Sequence, residues 1–457
     1  MSGAGQLQPG GLRHYVAAPV SRVQGRIEVP GDKSISHRAL MLGAIADGAT
    51  RIEGFLASED CLATLAALRA LGVHVQRPAD STVQVQGVGL AGLQGSATAL
   101  DLGNAGTAMR LMMGLLAGQA FDSTLVGDSS LMRRPMERVA QPLRAMGARI
   151  DTHQGRPPVL IHGGAGLHAI DYTLPIASAQ VKSALLLAAL YAHGTTSVLE
   201  PAPTRDHTER MLRQFGVQLE CRGARIHLTG QQRLHGGTGV RVPGDFSSAA
   251  FFIVAGCLAA ADGLTICNVG CNPTRTGLLQ MLKLMGADIH VQPHCVAPDS
   301  PEAAGEPTAD IHVRAGPLRG IRVPESLVAL SIDEFPVFFI AAAAAEGQTV
   351  VTGAAELRVK ESDRLAAMAQ GLTALGVQCE LLPDGLCVQG VGGRAAGRFD
   401  GGRIDSHGDH RIAMAFAIAS LRARGPLRID DIANVATSFP GFVPLACSVG
   451  LALQEQA

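Results

Sequence analysis

Two kinds of helical segment alternate along this chain, distinguished by how their apolar positions are spread. The first kind is amphipathic and closes on an apolar residue, a glycine and another apolar residue. It reads RALGV ending at Val73, RAMGA at Ala148, RQFGV at Val217, KLMGA at Ala287, TALGV at Val377 and, more faintly, CSVGL at Leu451. Its glycines (Gly72, Gly147, Gly216, Gly286, Gly376 and Gly450) recur at intervals of about 70–90 residues, the mark of an internal repeat. Four of the five clear copies run straight into alternating polar and apolar residues (GVHVQ, GARID, GVQLE, GADIHV). That order predicts a helix, a glycine at its C-terminal cap and then a strand.

The second kind leaves a polar loop, continues as an Ala- and Leu-rich segment that is apolar nearly all round, and stops, usually at glycine. Its copies are GDKSISHRALMLGAIADG, GNAGTAMRLMMGLLAG, ASAQVKSALLLAALYAHG, GDFSSAAFFIVAGCLAAADG, IDEFPVFFIAAAAAEG and GDHRIAMAFAIASLRARG. Helices of this kind should be buried, and those of the first kind should lie outside. Six units of two helices plus strands predict an α/β protein with helices bundled within and sheets facing solvent. At 457 residues the chain exceeds a single ordinary core, so the units should divide three to a domain. A generic α/β repeat would share this pattern, and only the polar loops argue against one.

Composition narrows the classes. Trp is absent, so aliphatic side chains must build the core, and a net charge of -1 gives no global pull toward nucleic acid or an anionic membrane. Any positive potential must be local. The longest nearly apolar stretch, AAFFIVAGCLAAA from Ala249, is shorter than the roughly 20 residues a bilayer span requires. The N-terminal MSGAGQLQPGGLRHYV lacks a signal-peptide core and reads as a flexible lead. The cysteines are scattered, and Cys267 and Cys271 have neither CxxC spacing nor a His partner, so reduced thiols in a cytoplasmic protein without a metal site are expected. PHCVAPDSPEAAGEPTADI, in the longest gap between repeats, reads as a surface insertion.

Charged residues with chemistry to perform gather before or at the starts of these helices, where free backbone N–H groups favour anions. Lys33, Ser34 and Arg38 belong to the first loop and helix, Asn104, Gly106 and Thr107 to the second, Ser178 and Gln180 to the third, and His410 and Arg411 to the sixth. The outer series adds Arg133, Arg134 and Pro135, and VKESDR with Lys360, Glu361 and Arg364. Singly, each is an ordinary solvated charge or tight turn. Together they place several cations and two carboxylates, Asp333 and Glu361, at equivalent ends of repeated units. That set suits substrates carrying phosphates and carboxylates, with acid–base work between them. No GxxxxGK[ST], GxSxG or HExxH occurs, and the GxG-type loops lack a Rossmann setting, so a nucleotide or zinc requirement has little support.

PGDKSISHRALMLGAIA, LGNAGTAMR, GDSSLMRRPM, ASAQVKSALLLAAL, RDHTERML, RVKESDRL and GDHRIAMAFA together resemble the 5-enolpyruvylshikimate-3-phosphate synthases, in the family's order and from about Val29 to Phe442. The resemblance implies an enolpyruvyl transferase fold: two domains, each of three βαβαββ-type units, with the active site in the cleft between them. Residues 1–31 and 245–457 would form an upper domain with both termini, and residues 32–244 a lower one. The implied reaction moves the enolpyruvyl group of phosphoenolpyruvate to the 5-hydroxyl of shikimate 3-phosphate by addition and elimination, without a cofactor or metal. By the same analogy, Lys33, Asn104, Gly106, Arg134, Gln180, Arg364 and Arg411 would hold phosphoenolpyruvate. Lys33, Ser34, Arg38, Ser178, Ala179, Gln180, Arg205, Asp333 and Lys360 would hold shikimate 3-phosphate. Asp333 would take the proton of the attacking hydroxyl and Glu361 would protonate the methylene carbon, with Lys33 assisting.

The chain departs from the family's commonest pattern in places. Ala179 stands where a second Ser is frequent and offers only backbone, with Arg205 as the compensating phosphate ligand of a divergent bacterial branch. Thr437 and Ser438 stand near a position that elsewhere carries a Lys, removing a cation expected at phosphoenolpyruvate. That branch includes glyphosate-tolerant members, in which an Ala methyl at the position of Gly106 crowds the inhibitor. Here the methyl is absent, although Leu111 replaces a common Pro, so inhibition competitive with phosphoenolpyruvate is expected. The sister transferase acting on UDP-N-acetylglucosamine is a rival, but it carries Lys-Asn where this chain has Lys33 and Ser34, and usually a loop Cys that is missing between Gly106 and Arg134. A non-catalytic anion-binding homologue is the other, disfavoured because Lys33, Asp333 and Glu361 are all present. A monomer is expected, since the repeats close within each domain.

Overall fold

Acidic and hydroxyl side chains in the polar loops start most of the buried helices. The computed structural model describes residues 13–237, 239–295, 305–392 and 398–456. Among them, the helices come in pairs along the chain: α1 (Lys33–Ile45) and α2 (Glu59–Ala70), α3 (Gly106–Ala117) and α4 (Glu137–Ala145), α5 (Ala179–Ala189) and α6 (His207–Gln214). The pairing continues with α7 (Phe246–Ala259) and α8 (Gly277–Leu284), α9 (Phe335–Ala344) and α10 (Arg364–Ala374), α11 (His410–Ala419) and α12 (Phe442–Ser448). The first of each pair belongs to the Ala- and Leu-rich series and is buried nearly all round, to the point that every residue of α9 is buried. The second carries a single apolar stripe. In α4, Val139, Ala140, Pro142 and Leu143 are buried while Glu137 and Gln141 stay in solvent.

The glycines that follow the outer helices all take left-handed backbone, with φ between 77° at Gly376 and 107° at Gly450. A side chain would strain that conformation, which is why glycine recurs there. A strand follows each: His74–Ala79, Arg149–His153, Leu219–Arg222, Asp288–Pro293, Gln378–Leu382 and Ala452–Gln456. Each unit thereby builds one small sheet against its helices. The sheets are four-stranded except in the fifth unit, where three strands remain and isolated bridges Arg319↔Glu346 and Arg322↔Val350 stand in for the fourth.

Sheet pairing shows where the chain crosses between halves. Strand Gly25–Glu28 runs parallel to Leu264–Gly270 of the fourth unit, after which the chain enters α1. Val240–Arg241 runs parallel to Asp47–Glu53 of the first unit, after which it enters α7. The two crossings carry the same tripeptide, Pro30-Gly31-Asp32 and Pro243-Gly244-Asp245, and bond reciprocally. Asp32 N–H donates to Pro243 O and Asp245 N–H to Pro30 O, both at 2.8 Å. Buried apolar residues fall into two clusters, one from Ile35 to Val242 and one combining Tyr15–Val29 with Phe246–Leu453. The architecture is therefore mixed α/β with two cores. No described helix is long and apolar enough to cross a membrane. The N-terminal lead through residue 12, and residues 296–304 of the insertion, lie outside the described residues, while the end of the lead, His14–Val16, is not flexible but belongs to strand His14–Ala18. The ends of the insertion, Pro293 and Thr308 to Ile311, likewise belong to strands Asp288–Pro293 and Thr308–Arg314, which pair antiparallel.

Candidate active site between the two cores

The polar loops of both halves converge on a cleft of about 540 Å³. One wall carries Lys33 and Ser34 at the start of α1, Asn104, Gly106 and Thr107 at the start of α3, Arg134, the start of α5 at Ser178, Ala179 and Gln180, and Arg205 ahead of α6. The facing wall carries Asp333 ahead of α9, Lys360 and Glu361 ahead of α10, and His410 and Arg411 at the start of α11.

These helix starts are not uniformly open to anions. Asp32 caps α1 by accepting from Ile35 N–H at 2.9 Å, Asp245 caps α7 from Ser247 N–H at 2.7 Å, and Asp409 caps α11 from Arg411 N–H at 2.9 Å. A carboxylate at the N-cap takes up one of the free donors and offsets part of the local dipole. The side chains at those three helices therefore carry much of the attraction for anions. At α3 the N-cap is Ala105, whose side chain cannot cap the helix, and the Gly106 N–H is turned back onto Asn104 O at 2.8 Å.

Cations from both walls surround the two carboxylates. Arg205 donates to the Asp333 carboxylate across the cleft, and Arg364 Nη1, Lys360 Nζ and Arg411 Nη2 stand 3.3, 3.7 and 4.0 Å from the same group. Burial alone would raise the Asp333 pKa, but Arg205 and then Lys360, Arg411 and Arg364 outweigh it and hold the carboxyl well below the usual range. Glu361 accepts from Arg364 Nη2 at 2.5 Å, and Arg134 Nη1 reaches it from the opposite wall at 3.5 Å. It too is held well below the carboxylate range, burial being outweighed by the cations Arg364, Arg134 and Lys33. Lys33 Nζ bonds Asp60 Oδ2 at 2.9 Å.

Arg38 and Arg364 lie one layer behind the surface, 3% and 1% exposed. Arg38 bonds Thr208, Ser183 and the Ser34 carbonyl, and burial pulls its pKa down to about 10, so it stays charged at neutral pH. Arg364 is caged by Asp409, Glu361 and Asp333. Thr437 and Ser438 do not line the cleft, and the Thr437 hydroxyl is spent on Asn434 O at 2.7 Å. Other lining residues escaped the sequence reading. Asp60 looks like an ordinary acid in the first turn of α2. Arg110, one turn into α3, holds Gln180 Oε1 at 2.6 Å. Arg275 joins the crossings: its Nη1 bonds Asp32 at 2.6 Å, and its Nη2 bonds Ser247 Oγ at 2.5 Å and lies 3.6 Å from both Asp245 and Glu334. His410 lines the cleft with both ring nitrogens lacking hydrogen-bond partners, and burial with nearby Lys33 and Arg411 holds its imidazole neutral.

Such a site suits polyanions and keeps two carboxylates within the field of its cations, an arrangement fit for proton transfer between two anionic molecules. Among the described residues, no group of His, Cys, Asp and Glu side chains could hold a metal ion.

Comparison with known proteins agrees with the geometry. The family model of EPSP synthase (3-phosphoshikimate 1-carboxyvinyltransferase) matches residues 17–445. The 3-phosphoshikimate 1-carboxyvinyltransferase of Alkalilimnicola ehrlichii is 59% identical over 438 residues, covering 95% of each chain. That of Methylococcus capsulatus is 56% identical over 441 residues, covering 96% of this chain and 98% of its own. The structure of EPSP synthase from Acinetobacter baumannii superposes with a TM-score of 0.86 at 51% identity, over 97% of this chain and all of that one. The enolpyruvyl transferase NikO from Streptomyces tendae shares the fold, with a TM-score of 0.77 at 19% identity over 98% of this chain and 99% of its own. With two cores, a cation-lined cleft between them and relatives of this identity over nearly its whole length, the chain belongs to the EPSP synthase (3-phosphoshikimate 1-carboxyvinyltransferase) family.

Proposed function

We propose that this cleft is where the chain carries out the reaction of its family, the transfer of an enolpyruvyl group from phosphoenolpyruvate to the 5-hydroxyl of shikimate 3-phosphate. The observation that carries this reading is the placement of Asp333 and Glu361 within one field of cations drawn from both walls. Shikimate 3-phosphate lies along Ser178, Ala179, Gln180 and Arg205 by its phosphate, with Ser34 and Arg38 toward its carboxylate and Asp333 and Lys360 at its hydroxyls. Phosphoenolpyruvate lies against Lys33, Arg134, Arg364, Arg411, Asn104, Gly106 and Gln180. In the addition step the 5-oxygen attacks C2 of phosphoenolpyruvate, its proton passes to Asp333, and C3 gains a proton from Glu361. In the elimination step C3 returns a proton to Glu361, the C2–O bond to phosphate breaks, and the proton held by Asp333 leaves with phosphate. Residues 32–244 form one domain and residues 1–31 with 245–457 the other, closing about the paired Pro-Gly-Asp crossings. We place the protein in the cytoplasm as a monomer.

Phosphate release from shikimate 3-phosphate plus phosphoenolpyruvate, with and without chelator, tests the reading. Release that is undiminished by chelator is expected, with no turnover when UDP-N-acetylglucosamine is the acceptor. Binding of both substrates without phosphate release would point to a non-catalytic homologue.

Gly106 supplies a sharper test of the donor site. A Cβ there would meet Arg134 Nη1 at 2.8 Å and Arg110 Nη1 at 3.4 Å. Arg134 cannot swing away freely, because its Nη2 is bonded to Asn104 Oδ1 at 2.6 Å. Gly106→Ala should raise KM for phosphoenolpyruvate by about tenfold and change kcat by less than about threefold, the pattern of lost uniform binding. Competitive inhibition by glyphosate should weaken at least as much. An unchanged KM in steady-state kinetics would remove Gly106 from the donor contact.

A further inference from the structure

Arg205 reaches into the cleft from residues 200–206, an irregular stretch between strand Thr195–Leu199 and α6. Nothing regular holds that stretch, yet beneath it lies an ion cluster that the reaction does not use. Lys182 of α5 is 1% exposed, and its Nζ lies 2.9 Å from Glu200 Oε2 and 2.7 Å from Glu209 Oε1. The Thr204 hydroxyl donates to Glu200 Oε1, and the Thr204 carbonyl is 3.5 Å from Lys182 Nζ. Side chain and backbone of the residue before Arg205 are therefore both tied to the cluster.

Stability is a weak reason for three charges here. Desolvating a buried ion pair offsets most of its attraction, and apolar residues of equal volume often serve as well or better. What ion pairs add is fixed geometry, which an irregular segment bearing a ligand-binding cation needs. The cluster also carries one more carboxylate than ammonium, and Glu209 Oε2 has no partner of its own. Next to Lys182 and Glu209, Ser183 and Thr208 bond the Arg38 guanidinium at 2.8 and 2.7 Å. Arg38 is held by those hydroxyls and not by the ion pairs, whose own ties run to Thr204.

We propose that Lys182, Glu200 and Glu209 are positioning residues that fix Thr204 and thereby aim Arg205 at the phosphate of the acceptor. The proposal rests on the reading of Arg205 as a phosphate ligand. Its consequence is that Lys182 governs affinity for shikimate 3-phosphate, not the chemical step.

The test is a double-mutant cycle in the full-length enzyme. Lys182→Met should raise KM for shikimate 3-phosphate by about 10- to 100-fold and leave kcat within about threefold, with Lys182→Arg recovering most of the loss. In an Arg205→Ala background, Lys182→Met should add less than about twofold, because its effect passes through the missing guanidinium. Thr204→Val keeps all three charges and removes one hydroxyl, so it remains informative if Lys182→Met does not fold. It should raise the same KM by about 3- to 10-fold, again without further effect in the Arg205→Ala background. Equal losses with and without Arg205 overturn the positioning cluster, as does an unchanged KM in Thr204→Val. An unchanged KM in Arg205→Ala alone strikes at the phosphate-ligand reading instead, and the cluster's role falls with it.

Discussion

Replacing Glu361 with Gln is expected to lower kcat by about a thousandfold, the range of a lost general acid, while the dissociation constant for shikimate 3-phosphate stays within about twofold. Gln keeps the size of the side chain and an oxygen to accept from Arg364, so the cage persists. Asp409 and Asp333 still balance the Arg364 guanidinium from 2.8 and 3.3 Å. What Gln cannot do is carry a proton to carbon and take it back. Near-normal turnover in the variant would remove Glu361 from the chemistry.

The free protein adds a condition to this role. Glu361 is ionised there, because the Arg364, Arg134 and Lys33 cations together overcome burial. An ionised carboxylate donates nothing. Phosphoenolpyruvate brings a carboxylate and a phosphate to the same cations, and once they pair with it, burial dominates and the Glu361 pKa rises. Forming the ternary complex near neutral pH should therefore take up a proton. The sign follows from the shift: uptake is confined to the window between the depressed pKa of the free enzyme and the raised pKa of the complex, vanishing as the pH falls through the first or rises through the second. Calorimetry in buffers of different ionisation enthalpy measures it, and the part due to Glu361 is the difference between wild type and Glu361→Gln. Equal uptake in both proteins would contradict the donor role.

What could be read from the residues alone follows from how local each feature is. A left-handed C-cap needs glycine within one turn, so Gly72, Gly147 and their repeats announce themselves, and the strands after them follow even at Gly376 and Gly450, where alternation is weaker. Helices buried on all sides need apolar residues at every position, which made the inner series plain. Pairings across the cleft leave no such trace: Arg205 and Asp333 are 128 positions apart, and neither sequence context mentions the other. The same holds for Arg275, whose PTRTG setting looks like a turn although it joins both chain crossings. Asp60 was hidden because an acid in a helix's first turn already has an ordinary explanation. The Asp caps at α1, α7 and α11 take up one backbone donor each at helix starts that were expected to attract anions. Each cap is local and visible as the D of GDK, GDF or GDH, yet its effect on the dipole is clear only once the side chain is seen folded back.

Asp333→Asn should cost as much turnover as Glu361→Gln, about a thousandfold or more in kcat, without weakening donor binding. Asp333 sits among Arg205, Arg364, Lys360 and Arg411, and its negative charge offsets part of theirs. Asn removes that charge while keeping the shape, so the cations face the cleft with less competition. KM for phosphoenolpyruvate should then fall or hold, instead of rising as it does when a contact is lost. Shikimate 3-phosphate loses one acceptor at its hydroxyl but gains a freed Arg205 for its phosphate, and its affinity should change by less than about threefold. The combination of a large fall in kcat with unchanged or tighter donor binding distinguishes a lost base from a damaged site. The pH profile separates them further. In the wild type the acid limb of kcat/KM, which reports the free enzyme, lies below the ordinary carboxylate range where it is due to Asp333, since Arg205 and its neighbours outweigh burial. In Asp333→Asn that limb should disappear from the residual rate. A variant that keeps the limb, or whose KM for phosphoenolpyruvate rises about tenfold, would show that Asp333 serves to hold the cations in place and that the hydroxyl proton leaves by another group.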